Sequence, residues 1–185
     1  MQEQLAQIID SLESAQSRLR RLTDRLPEAD WDKRPQAERW SASECVEHLN
    51  LTSRAYVPLL RDAIASAGET RRAPQKRYRR DALGWFMSHM IGPLRQVGKF
   101  RIGRVKTMPA FVPRADRSRT EILSDFVRLQ GALISLTQSA DGLPIDGVKI
   151  ISPFGGRMRY NAYSALVIVS RHEHRHLDQA EEAVR

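Results

Sequence analysis

The chain has 185 residues, a formal net charge of +8 and one cysteine, Cys45. That length suits one domain that buries a full core without disulfide staples, and a lone cysteine excludes both an intrachain disulfide and a cysteine-rich zinc site. No run approaches the ~20 apolar residues that span a bilayer, and Met1-Gln2-Glu3-Gln4-Leu5 is not a basic region leading into an apolar run, so the expected location is cytoplasmic.

A first helix is predicted over about 2–26, where Leu5, Ile8, Ile9, Leu12, Ala15, Leu19, Leu22 and Leu26 recur at three- and four-residue spacing and form one apolar stripe. Pro27 and a polar run to Arg39 end it. Ser41-Ala42-Ser43-Glu44 has the form of a capping box, in which Ser41 and Glu44 each satisfy a free backbone donor. The second helix runs from there toward Gly68, with Pro58 expected to kink or break it. Arg71 to Arg80, charged and holding Pro74, reads as a solvated loop. Ala82 to Ile91 is a short helix rich in Trp85, Phe86, Met87 and Met90, expected to cap one end of the fold. Gly92 to Arg117 reads as irregular connection. A third helix covers about 118–140, a turn-rich stretch with a short extended piece at 148–151 follows, and a fourth helix covers about 160–184. Four long amphipathic helices predict an all-α fold, a four-helix bundle over 1–185, whose sites are built from side chains on facing helices.

The charge is local. Between Arg71 and Arg119 stand fourteen Lys or Arg and two acids, so this segment carries +12 and the rest of the chain −4. The basic irregular region at about 69–117 is therefore a regional feature.

Of five histidines, His172 and His176 sit four apart on the fourth helix, about 40° apart on one face. That face continues the apolar stripe of Val169, Leu166 and Ala162. His48 lies between Cys45 and Leu49 on the core side of the second helix. Burying imidazoles together is costly unless each is bonded or ligates something, so His48, His172 and His176 are the predicted ligands of one divalent metal ion. His174 is expected to face solvent, and neither it nor His89 is expected to ligate.

Trp40-Ser41-Ala42-Ser43-Glu44-Cys45-Val46-Glu47-His48-Leu49 and His172-Glu173-His174-Arg175-His176-Leu177-Asp178-Gln179 together resemble the paired signatures of the DinB-like family, also called DinB/YfiT-like. Trp31 to Pro35 is similar to the segment that precedes the first of them. The resemblance implies a DinB/YfiT-like antiparallel four-helix bundle, commonly a homodimer, with His48, His172 and His176 as metal ligands. Some members are S-transferases or isomerases that use low-molecular-weight thiols such as bacillithiol or mycothiol. The basic region departs from the family pattern and leaves the branch, and so the small-molecule substrate, open.

Three imidazoles leave the ion's charge uncompensated and a coordination position free, the pattern of a catalytic centre. Nitrogen ligation does not choose among zinc, nickel, iron and manganese. Gln179, a turn beyond His176, and Glu44, a turn before His48, are candidate supporting residues; Cys45 is within reach but reads as a small buried hydrophobe. A metal or small-ligand binding protein without turnover is the alternative. Less favoured are nucleic-acid binding through Arg71, Arg72, Lys76, Arg77, Arg79 and Arg80 with Tyr78 for stacking, and a membrane surface met by these arginines with the apolar residues of 85–90.

Overall fold

The computed structural model of the chain describes residues 1–70, 73, 76–93, 96–97, 100–101, 107–114 and 117–185. The helices are α1 (Glu3–Thr23), α2 (Glu28–Trp31), α3 (Ala42–Glu69), α4 (Ala82–Ile91), α5 (Arg119–Ser139) and α6 (Ala162–Ala183). The strands are β1 (Gln96–Val97), β2 (Phe100–Arg101), β3 (Lys149–Ile151) and β4 (Arg159–Asn161), with 3-10 turns at Pro109–Phe111 and Ile145–Gly147. The all-α expectation holds, and α1, α3, α5 and α6 are the four long helices. Among the described residues no helix is long and apolar enough to cross a membrane.

The helices α3, α4, α5 and α6 each start where a side chain accepts from a first-turn N–H group. Ser41 accepts from Glu44 N at 3.2 Å and Glu44 Oε2 from Ser41 N at 2.9 Å, the reciprocal box that the sequence predicts. Ser118 and Glu121 make a second such box at α5. Asn161 Oδ1 caps α6 through Ser164 N at 2.8 Å. Asp81 caps α4 through Gly84 N at 2.8 Å and also accepts from Asn161 N at 2.9 Å, tying the starts of α4 and α6 together. At Gly84 the helices meet so closely that a Cβ would lie 2.1 Å from Ser164 Oγ.

α3 runs through Pro58 without the expected break. Pro58 is exposed, so the carbonyl it frees faces water, while its neighbours Tyr56 and Leu60 are fully buried and anchor the helix on both sides of it. The extended piece expected at 148–151 is β3; its partner β4, paired Ile150 to Tyr160, takes residues read in the sequence as the start of the last helix. Asn161 ends that strand and caps α6 in one residue.

The long helices close a ring in which α1 touches α5 and α6, and α3 touches α5 and α6. Cross-links fix their directions. Gln2 N donates to Asp141 at 2.8 Å and Arg119 Nη2 to Thr23 O at 2.6 Å, so α1 and α5 are antiparallel. Arg39 meets Glu182 and Tyr56 meets Tyr160, so α3 and α6 are antiparallel too. The other two seams are parallel: Glu47, Asn50 and Arg54 meet Arg117, Ile122 O and Asp125 in order, and Gln4, Ser11 and Arg18 meet Tyr163, His174 and Glu181. A parallel α3–α5 pair obliges the chain to travel back along α3, whose 28 residues span about 42 Å. The segment between them is thus the return crossover of the fold.

Two apolar clusters fill the ring. One holds Leu5, Leu12, Tyr56, Leu60, Leu133 and Leu166; the other holds Leu19, Trp31, Cys45, Leu49, Phe126 and Leu177. On α6 the polar stretch from His172 to His176 falls between the two, and on α3 His48 stands beside Leu49 of the second.

Candidate metal centre

That polar level holds the three predicted histidines. His48 from α3 and His172 and His176 from α6 are all buried, and one ring nitrogen from each lies within 4.8 Å of the others. His48 Nε2 and His172 Nε2 are 3.3 Å apart. Two nitrogens each about 2.0–2.1 Å from one tetrahedral ion would stand at about this spacing.

The backbone sets the orientation of His48. Its Nδ1 lies 2.8 Å from the carbonyl oxygen of Phe111, an acceptor, so Nδ1 carries the proton. The neutral ring then presents the Nε2 lone pair toward His172. Trp40 packs over His48 and His176, with ring centroids 4.9 and 5.9 Å away, and Phe154 packs against His172 at 5.7 Å. Desolvation drives the His48 pKa down to about 4; the Phe111 carbonyl opposes this and Arg175 adds to it. Desolvation first, then the neighbouring imidazoles and Arg175, hold His172 and His176 well below the ordinary range. All three are neutral at pH 7, the protonation state that ligates. Nδ1 of His172 and Nδ1 of His176 are buried without a hydrogen-bond partner, which is costly in a protein interior. A cluster of three buried neutral imidazoles, with ring nitrogens converging within 4.8 Å, can hold one metal ion.

The rings open onto a cavity of about 800 Å³, in the range of small-molecule sites. Its described lining includes Gln179 and Cys45. Gln179 lies beside His176 and acts on its ring in the sense that favours protonation. Cys45 is fully buried, and burial, reinforced by Glu44, pushes its thiol up to about 12, so it stays protonated. Glu44 does not reach His48. Its carboxylate accepts from Ser41 N and from the Arg34 guanidinium, whose Nε donates at 2.8 Å, and the orienting role falls to Phe111 O. A backbone carbonyl 63 positions away leaves no mark in a sequence.

His89 is exposed against Trp85, as expected of a non-ligand. His174 does not face solvent: its ring sits at the α1 seam, with Nε2 3.0 Å from Ser11 Oγ and Nδ1 3.2 Å from Arg18. The neighbouring charges, which suggest a solvated face in the sequence, turn inward as well. Gln130 Nε2 donates to Glu173 at 2.6 Å, and burial pushes that carboxyl up to about 8. Arg171 and Arg175 donate to Ser88 O and Met90 O, both at 2.8 Å, and so cap the C-terminal end of α4. Tyr78, the aromatic expected to stack on a base, is buried and donates to Ala140 O at 3.1 Å. Arg71 and Arg72 lie outside the described residues. Trp85 and Phe86 are 53% and 51% exposed rather than capping the bundle, whereas Met87 turns inward.

Fold and site together define a class: a helical-bundle protein with a buried three-histidine cluster at the floor of a cavity. The chain belongs to the DinB superfamily, whose family model matches residues 11–180. No curated protein and no solved structure matches it.

Proposed function

We propose that His48, His172 and His176 hold one divalent metal ion and that the protein uses it to activate a low-molecular-weight thiol for transfer or isomerisation of a small molecule. The observation that carries this reading is the convergence of three buried neutral imidazoles, two with stranded ring nitrogens, on the floor of an open cavity. When bound, a divalent ion supplies a concentrated positive charge that lowers the pKa of a thiol or water beside it.

The chain's own residues do the rest. Phe111 O holds the His48 proton on Nδ1 and keeps Nε2 free. Trp40 and Phe154 restrict the rings and keep water from their far sides. The carboxylates among the described lining residues are Glu38 and Glu182, and Glu182 is 3.3 Å from Arg39. This favours a reaction in which the thiol loses its proton without a carboxylate base. It equally suits binding without turnover, the second reading.

Metal content by mass spectrometry on tag-free protein tests the site. Near one divalent ion per chain is expected, with loss in His48→Ala and in His176→Ala. A chain that stays empty after incubation with zinc, nickel and manganese overturns it. Thiol-transfer assays on loaded protein then separate catalysis from binding.

A further inference from the structure

The lining of the cavity beyond the histidines has a composition that the proposed chemistry does not require. The sequence has five methionines, and four of them, Met87, Met90, Met108 and Met158, line this one cavity. They arrive from three separate stretches: α4, the approach to the Pro109–Phe111 turn, and the β3–β4 connection. Phe111 and Phe154 join the wall to the floor, with their ring centroids 4.9 Å apart and Phe154 against His172. Met90 and Met108 remain 41% and 40% exposed, so the apolar wall continues to the mouth, where core packing gives no reason for it.

Thioether chains are unbranched and polarizable and repack around different shapes, which suits a surface that takes apolar ligands of varied outline. Among the described lining residues the cations are engaged by the protein: Arg39 is held by Glu182 and Arg175 donates to Met90 O. We infer that the cavity binds an uncharged, apolar molecule, seated on the methionine wall with one end toward the three histidines. That this molecule is the acceptor in a reaction rests on the proposed function; its binding does not.

The probe is N-phenyl-1-naphthylamine, a neutral dye that brightens in apolar surroundings, displaced by straight-chain 1-alkanols from butanol to decanol. Displacement is expected to tighten about three- to fourfold per added methylene until the cavity is full. Met90→Lys and Met108→Lys, at positions open enough to leave the fold intact by circular dichroism, should each weaken dye binding by about tenfold or more. Trp85→Lys, on the outer face of α4, should not. No brightening, a flat alkanol series, or lysine variants that bind like the wild type overturn the inference. So does loss confined to Trp85→Lys, which puts the dye on the outside of α4. Metal content is read on the same samples. An empty protein that still gives the alkanol series defeats the metal reading alone, and a loaded protein that ignores the dye defeats this one alone.

Discussion

Along α6, histidines two residues apart enter two different seams. On the α1 side, His174 finds Ser11 and Arg18 and has a partner at each ring nitrogen. On the α3 side, His172 and His176 meet His48 and keep Nδ1 atoms with no partner. Residue type and helix are the same, though His174 is half-buried where His172 and His176 are buried. The difference is whether the neighbouring helix brings hydroxyl and guanidinium groups or another imidazole. A buried histidine becomes a candidate ligand when its surroundings leave a ring nitrogen unspent, and burial alone does not make it one.

The largest expected effect breaks this comparison open. His172→Ala should abolish metal loading, while His174→Ala should load as the wild type does; equal loss in both would show that the two seams are not distinct. Next comes the docking of α4, which carries Met87 and Met90. Gly84→Ala forces a Cβ to within 2.1 Å of the buried Ser164 Oγ and should cost about 1–3 kcal/mol, read as a fall in Tm of about 2–4 °C per kcal/mol. A wild-type Tm would mean that α4 moves freely against α6. His174→Ala itself should lower stability by about 1 kcal/mol, the worth of the hydrogen bonds it forfeits, measured by urea unfolding.

The smallest effect sharpens the contrast with the α3–α5 seam, where charge is balanced. There burial raises the Asp125 carboxyl, but Arg128, Arg117 and Arg54 outweigh it and bring it down from the ordinary 3.8 to about 2. A carboxyl depressed on folding stabilises the protein above its unfolded value, and that contribution disappears as pH falls through the folded value. Stability should therefore drop between about pH 4 and 2, and Asp125→Asn should flatten that part of the profile while costing little of the remaining acid sensitivity. Denaturant titrations at stepped pH check it; an unchanged slope in the variant would remove Asp125 from the account.

Much of this was legible in the residues, for reasons of period. The stripe on α1, the Ser41–Glu44 box and the four-residue step from His172 to His176 are local patterns, and local patterns survive into the fold. His48 joined them because its helix face was readable from Cys45 and Leu49. What escaped was whatever depends on a distant partner. Phe111 O, the inward turn of Glu173 and Arg175, and the seat of His174 are set by which helix lies alongside, and spacing within one helix says nothing of that. The parallel α3–α5 pairing was hidden for the same reason, so the stretch between them read as loop and irregular connection. Pro58 and Tyr78 misled in opposite directions, one by a rule that packing and solvent overrode, the other by standing in a charged run while its own ring was buried.

The distance in sequence between the two halves of the centre has a consequence for how it comes into being. His48 and His172 are 124 positions apart, and the carbonyl that orients His48 arrives from between them. While the chain is being synthesised, α1, α3 and the crossover emerge and can associate before α6 exists. Until then His48 sits in an unfinished groove with no second imidazole, and closing so long a loop carries its own entropic delay. The cluster is thus assembled by the last helix to dock, and a nascent or truncated chain is unable to present three histidines to an ion prematurely.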